Sequence, residues 1–187
     1  MRSLAVIASA LVGLGLSVPA VAATGSGVTV VQSSDPAMTE GEVIIDGDPA
    51  EVFAAVADYQ KWTEIMPDVA HVEVTGRTGD DARVTLVSPS GHRDNLHFRN
   101  RSDVHLIYFE DTGNGGRADV WADIVFVPTA QPAETRVHIR LYAKVHGIAR
   151  LVATEGKVRA QREQKIAAEL SHIRMYFQRT VATASAQ

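Results

Sequence analysis

The chain of 187 residues contains no cysteine, which excludes several kinds of site. Without thiols there can be no disulfide framework, no thiolate-bound zinc and no cysteine nucleophile. Basic residues are not in excess either: the formal net charge is −4, so we expect no nucleic-acid partner. Of the residues that are present, 45% are hydrophobic, which is enough to form a buried core. The length predicts one domain with a short extension.

The first residues have the composition of a secretory signal peptide. One positive charge precedes the uncharged run Leu4–Val18, and small residues follow Pro19. The apolar run of about fifteen residues is shorter than the roughly 20 that a membrane-spanning helix needs. We therefore predict that residues 1–23 are a signal peptide cleaved after Ala22 or Ala23, and that the mature protein is periplasmic or secreted. A retained membrane anchor is the alternative.

The remaining chain divides into a linker, a folded domain and a tail. Residues 24–40 are rich in glycine, serine and threonine, and we predict a linker that carries one short strand at Val28–Val31. The domain is predicted over residues 41–180 and a flexible tail over 181–187. A strand opens the domain, and Asp48 then has the position of a helix N-cap, followed by a second short helix.

The central part of the domain alternates between apolar and polar residues. This period of two, interrupted by turns, predicts five or six antiparallel strands between Val69 and Val145. From about residue 148 to 179 the apolar residues recur at helical spacing instead. The order of strand, two short helices, antiparallel strands and one long helix predicts an α+β fold in which a curved sheet wraps a C-terminal helix.

The segment 48–67, DPAEVFAAVADYQKWTEIMP, resembles the opening of the START-like, or polyketide cyclase/dehydrase (SRPBCC), superfamily. The shared features are the Pro-Ala-Glu-Val-Phe helix start, the Asp-Tyr pair that ends at Tyr59, Trp62 and Pro67. The segment is most similar to the coenzyme Q-binding branch. The resemblance implies the helix-grip architecture over about residues 40–180. It also implies that a lipid, isoprenoid, sterol or polyketide is bound, cyclised or dehydrated.

A long helix that lies across a strongly curved sheet cannot touch it everywhere, so this fold predicts a cavity between the two. Burial at about 25 cal/mol per Å² would hold an apolar ligand there without ionic contacts. A filled hydrophobic core is the alternative interpretation of the same residues. The predicted ligand-binding residues are Val72, Val74, Leu86, Leu96, Phe98, Tyr108, Ala122, Ile124, Ile139, Leu141, Ile166, Leu170 and Ile173.

No set of residues has a pattern that identifies a catalytic centre. The histidines are scattered without metalloprotease spacing, and we predict neither a metal nor another cofactor. Ser88, His92 and Asp94 lack the surroundings of a nucleophile elbow and are predicted to form a turn. If the protein is instead a cyclase or dehydratase, Tyr108 or Arg99 would polarise a substrate carbonyl.

Basic residues crowd the first half of the predicted long helix, at Lys157, Arg159, Arg162 and Lys165. One interpretation is a solvated face whose charges pair with acidic residues of the domain. The other is a transient contact with an anionic membrane, at roughly 1 kcal/mol per cation near the surface.

Together these observations predict an exported carrier or sensor that binds a hydrophobic small molecule and performs no covalent chemistry. A cyclase or dehydratase is one alternative. A protein-interaction module that uses the outer face of the sheet is another.

Overall fold

The computed structural model describes residues 27–113, 115, 117–147, 150 and 153–184, with side chains up to residue 180. The predicted signal peptide lies outside the described residues. None of the described helices is long and apolar enough to cross a membrane. The elements are β1 (Val28–Gln32), β2 (Met38–Asp46), α1 (Pro49–Ala57), a 3-10 turn (Tyr59–Lys61), α2 (Trp62–Ile65), β3 (His71–Thr78), β4 (Asp81–Val87), β5 (Arg93–Arg101), β6 (Leu106–Asp111), β7 (Ala118–Pro128), β8 (Glu134–Val145) and α3 (Glu155–Ala184).

The strands form one antiparallel sheet in the order β1-β2-β8-β7-β6-β5-β4-β3. The predicted α+β class, with a curved sheet around a long C-terminal helix, is confirmed. The sheet reaches further towards the N-terminus than the predicted domain start at residue 41, because β1 and the first residues of β2 pair within the segment predicted as a linker. At the other end α3 continues to Ala184, into the segment predicted as a tail.

The segment α1–α2 folds back over one part of the concave face of the sheet. The Asp48 carboxylate accepts a hydrogen bond from the backbone N–H of Ala50 at 2.9 Å and thereby caps α1, which Pro49 opens. The indole N–H of Trp62 then donates to the carbonyl of Val56 at 2.7 Å and ties α2 to α1. These two hydrogen bonds explain the Asp-Pro helix start and the tryptophan in the segment 48–67.

The helix α3 sits directly on β2. Ile166, Leu170 and Ile173 are fully buried there. A Cβ atom at Gly41 of β2 would collide with Cγ2 of Ile166 and lie 3.0 Å from Cδ1 of Leu170. Because glycine has no side chain, the helix packs against the backbone of the strand at this point, and no cavity remains between them here.

Arg162 occupies the gap in the apolar stripe of α3, midway between Val158 and Ile166. Only 1% of its surface is exposed. Its Nε donates to Oγ1 of Thr39 at 3.1 Å, and its Nη1 donates to the carbonyl of Ala143 at 2.9 Å. Burial lowers the pKa of the guanidinium from its usual high value.

One member of the predicted membrane-facing patch, Arg162, does not lie on the surface. Arg162 is buried because its position on the helix is that of a core residue. Lys165 is engaged by acidic side chains, with its Nζ 2.9 Å from Oε1 of Glu169. Arg159 pairs with Glu163 at 2.8 Å. Of the four residues expected to contact an anionic membrane, Arg162 is buried and unavailable, whereas Lys157 and Arg159 are exposed. The contact itself stays a prediction.

Candidate functional site

The concave face of the sheet is not filled evenly. The helix α3 packs chiefly against β1, β2 and β8. On the strands beyond them, Leu86, Phe109 and Val120 point to the same concave side but remain partly exposed. When an apolar side chain faces the inside of the fold but is still in contact with solvent, it lies at the edge of an open space. We call the space bordered by these three side chains the concave groove.

One end of the concave groove is closed by aromatic rings. The ring of Phe98 lies 5.1 Å from that of Phe109 and 4.6 Å from that of Tyr59, measured between centroids. Trp62 meets Phe98 edge to face at 5.4 Å. The hydroxyl of Tyr59 and Oδ1 of Asn100 are buried at this end without a partner in hydrogen-bond geometry among the described residues, although the Asn100 side chain is close enough to oppose the rise in the pKa of Tyr59. Burial raises the pKa of Tyr59 to about 12.

Charged side chains gather at the opposite, open end of the groove. His92 Nε2 lies 3.0 Å from Oδ1 of Asp94, which projects from β5 on the concave side, opposite Leu86 of β4. Asp111 of β6 stands opposite Leu96, the next concave residue of β5 after Asp94. Lys165 approaches from α3. We call the charged residues at this end the mouth cluster, which consists of Asp68, His92, Asp94, Asp111, Lys165 and Glu169.

The electrostatics of the mouth cluster follow from burial and from the mutual proximity of its members. Burial is the main cause that raises the pKa of Asp94, and it outweighs the opposing effect of His92. The carboxylates of Glu169 and Asp68 raise the pKa of Lys165 against the effect of burial, and Asp94 adds to this. Nζ of Lys165 is 3.8 Å from Oδ2 of Asp68. The lysine is therefore held as a cation among carboxylates.

The structure separates the predicted ligand-binding residues into different environments. Leu86 borders the groove, while Val74 is 39% exposed because β3 is an edge strand that bulges after it. Ile166, Leu170 and Ile173 pack on β2, outside the groove. The remaining buried positions on the concave face are Val72, Leu96, Phe98, Ala122, Ile124, Ile139 and Leu141.

Tyr108 does not face the interior, so its expected placement in the cavity is wrong. Ile107 and Phe109 point to the concave side, and the alternation of β6 turns Tyr108 to the convex side. There its ring lies 6.2 Å from that of Trp121, with the guanidinium of Arg99 at 5.8 Å. The roles considered for Tyr108 and Arg99 in polarising a carbonyl inside the cavity are therefore excluded by their position.

Ser88 and His92 belong to the turn between β4 and β5, whereas Asp94 lies within β5, and the three do not form a catalytic triad. The hydroxyl oxygen of Ser88 accepts a hydrogen bond from the backbone N–H of His92 at 3.1 Å. The imidazole instead pairs with Asp94. No group of three or more histidine, aspartate or glutamate side chains within the described part of the chain could hold a metal ion.

Sequence reasoning missed the mouth cluster as a unit. The signal for Asp94 was present, because Asp94, Leu96 and Phe98 alternate along one strand face. Lys165 and Glu169 are one helical turn apart, beside the apolar stripe of α3. The sequence does not show that strand and helix bring these charges together.

The curved antiparallel sheet, the long C-terminal helix and the two short helices define the class of START-like, helix-grip proteins. A family model described as "Polyketide cyclase / dehydrase and lipid transport" matches residues 36–177. The chain belongs to this family, and the superfamily predicted from residues 48–67 is confirmed. No curated protein matches the chain in sequence.

Solved structures support the same fold at low sequence identity. TTHA0849 from Thermus thermophilus is 16% identical, with a TM-score of 0.63 over 76% of this chain and 98% of that chain. A START superfamily protein from Mycobacterium smegmatis is 12% identical, with a TM-score of 0.62 over 76% and 98%. The Zhui aromatase/cyclase from a Streptomyces species is 16% identical, with a TM-score of 0.62 over 82% and 96%. These likenesses concern the fold alone.

Proposed function

We propose that this protein is exported and binds a hydrophobic small molecule in the concave groove. The observation that carries the proposal is the partial exposure of Leu86, Phe109 and Val120 on the inner side of the sheet. Membership of a family described by lipid transport supports it. The class of ligand that we propose is a lipid, isoprenoid, sterol or polyketide.

The physical reason is that these side chains leave apolar surface in contact with water inside the fold. A ligand that covers about 100 Å² of this surface would gain roughly 2.5 kcal/mol from these contacts alone. Further apolar contacts with the rest of the groove would add to this. The groove thus requires no ionic contact to retain an apolar body.

Two matched substitutions test the site. Val120 lies on the concave side of β7, and Val127 lies on the convex side of the same strand with 42% exposure. Val120→Phe should fill the groove and reduce ligand retention, whereas Val127→Phe should not. Native mass spectrometry of the mature protein after exposure to quinones, sterols, fatty acids and phospholipids measures retention. Recovery of only empty wild-type protein, or equal retention by both variants, would contradict the proposal.

Export is tested separately on the full chain expressed in a bacterial host. N-terminal sequencing of the protein from the periplasmic fraction should begin at Ala23 or Thr24, in accordance with the two predicted cleavage positions. Protein that keeps Met1 and remains with the membrane fraction would support the anchor. Protein that keeps Met1 in the cytosol would contradict export.

A cyclase or dehydratase acting on a polyketide-like substrate is a second candidate, favoured by the His92–Asp94 pair at the open end of the groove. A histidine hydrogen-bonded to a carboxylate can accept and return a proton. The test is incubation with a linear poly-β-ketone, with loss of water followed by mass spectrometry. His92→Gln should abolish turnover and His71→Gln, at an exposed histidine, should not. Absence of turnover by the wild type would remove this candidate.

A further inference from the structure

The mouth cluster carries more negative than positive charge. Among its described members, Asp68, Asp94, Asp111 and Glu169 are carboxylates, whereas Lys165 is a lysine and His92 is titratable. A polar group at the end of a ligand in the concave groove would lie beside these residues. The charge of the mouth cluster therefore affects which ligands bind in the groove.

Lys165 is a poor partner for an anionic ligand because its charge is already compensated. Its Nζ contacts Oε1 of Glu169 at 2.9 Å and Oδ2 of Asp68 at 3.8 Å. Asp94 also acts on it across the groove. A carboxylate or phosphate brought to the mouth would meet net negative charge and be repelled.

Asp94 is a carboxylate that stands next to the apolar wall. It projects from the concave side of β5, opposite Leu86 and one concave position from Leu96. Its side chain is 34% exposed, and His92 Nε2 contacts one of its oxygens at 3.0 Å. None of the described residues hydrogen-bonds the other oxygen, which can therefore accept a hydrogen bond from a ligand at the mouth. Burial disfavours its ionised form, and a cation beside it would offset that cost.

The polar groups at the closed end are occupied with each other. The hydroxyl of Tyr59 and Oδ1 of Asn100 are more than nine-tenths buried and have no partner within hydrogen-bond geometry among the described residues. The Asn100 side chain nevertheless lies close enough to act on the Tyr59 hydroxyl. The polar end of a ligand is therefore expected at the mouth cluster, with the apolar wall between the two ends.

We propose that the concave groove selects apolar molecules whose polar end is a cation, such as an amine, and that Asp94 sets this selectivity. The inference rests on the proposed function and specifies its ligand. An alkyl chain lies along Leu86, Phe109 and Val120, and the ammonium group lies at Asp94 as a charge-assisted hydrogen-bond donor. An alcohol of the same length binds more weakly, and a carboxylate binds most weakly.

The experiment uses three probes that differ only in their polar end: dodecylamine, dodecanol and dodecanoate, each below its micelle concentration. Isothermal titration calorimetry on the mature protein in low-salt buffer measures the three dissociation constants. We expect the amine to bind at least about tenfold more tightly than the carboxylate, and added salt to narrow the difference. Asp94→Asn should reduce the ratio to about threefold or less.

Asp119→Asn is the matched control, because Asp119 is an exposed aspartate on the convex face. It removes the same charge and should keep the preference for the amine. A similar loss in both variants would assign the preference to the net charge of the protein and overturn the role of Asp94. The melting temperature of unliganded Asp94→Asn should not fall, since the amide relieves the burial of a charge. If Asp94 has only a structural role, Asp94→Asn will lower the melting temperature.

The outcomes separate this inference from the proposed function. Equal binding of all three probes, or tighter binding of dodecanoate, would overturn the selectivity and leave a hydrophobic site in place. Failure of every probe, together with failure of the lipids tested above, would overturn the proposed function and this inference with it.

Discussion

The guanidinium of Arg162 donates a hydrogen bond to the carbonyl of Pro36 at 2.6 Å, across 126 residues of chain. The same guanidinium also donates hydrogen bonds to Oγ1 of Thr39 and to the carbonyl of Ala143. It therefore joins α3 to the β1–β2 connection, to β2 and to β8 through neutral oxygens. A buried cation bound in this way fixes the position of the helix over this part of the sheet.

Replacement of Arg162 should destabilise the protein strongly. Arg162→Met leaves the oxygens of Pro36, Thr39 and Ala143 without a donor, and we expect a loss of about 2 kcal/mol in the free energy of unfolding. Arg162→Lys should recover little, because one ammonium cannot reach three acceptors in the geometry of a guanidinium. Urea denaturation provides the measurement. Arg159→Met is the control, at an exposed position of the same helix, and equal effects of both Met variants would contradict the account.

Gly41 is predicted to be essential to the packing of α3. Gly41→Ala should cost about 2 kcal/mol or more, because the new methyl group meets Ile166 and Leu170 and the helix must shift. Gly76→Ala, at a strand position with open space around it, should change the stability by less than about 0.5 kcal/mol. Thermal unfolding of both variants tests this. A wild-type melting temperature for Gly41→Ala would show that the helix is not seated on β2.

Tyr59 gives a prediction about pH. Its pKa of about 12 in the folded state lies above the ordinary value near 10 of an unfolded chain. Folding therefore favours the protonated phenol, and this contribution to stability is lost as the pH rises from about 10 to 12. We expect the free energy of unfolding to fall by up to about 1.4 kcal/mol per pH unit in this window relative to Tyr59→Phe.

The same variant reports on the unpartnered hydroxyl. Below pH 9, Tyr59→Phe should change the free energy of unfolding by less than about 1 kcal/mol, because the buried hydroxyl has no partner within hydrogen-bond geometry among the described residues and only the side chain of Asn100 beside it. Urea denaturation at several pH values measures both effects. A loss of 1 kcal/mol or more at neutral pH would contradict the geometry, since it would reveal a partner for the hydroxyl.

Much of the fold was predictable because, in several segments, the local preferences of the sequence agree with the final structure. The helix start at Asp48 and Pro49 depends on capping, which the sequence displays directly. The strands from β3 to β5 alternate clearly enough to fix their inner faces. In β6 this signal fails, because Ile107, Tyr108 and Phe109 are all large and apolar or aromatic. Only pairing with β5 and β7 decides that Tyr108 faces outward.

The site was less predictable, since it depends on contacts between distant parts of the chain. Arg162 occupies a core position of the helix, but its charge suggested a surface residue. Its burial is possible because carbonyl oxygens from β8 and the β1–β2 connection and a hydroxyl oxygen from β2 surround it. Lys165 and Asp94 belong to different elements, so no pattern within either element reveals that they meet.

The most direct test of the account is an isotope-edited NOE experiment on the mature, methyl-labelled protein with a saturating dodecyl probe, the amine or the alcohol. We predict intermolecular NOEs from the alkyl chain to the methyl groups of Leu86 and Val120. We predict none to Ile166 or Leu170, which are packed against β2. NOEs confined to the convex face, for example to Val127, or a bound probe that leaves Leu86 and Val120 unchanged, would contradict the claim that the concave groove holds the ligand.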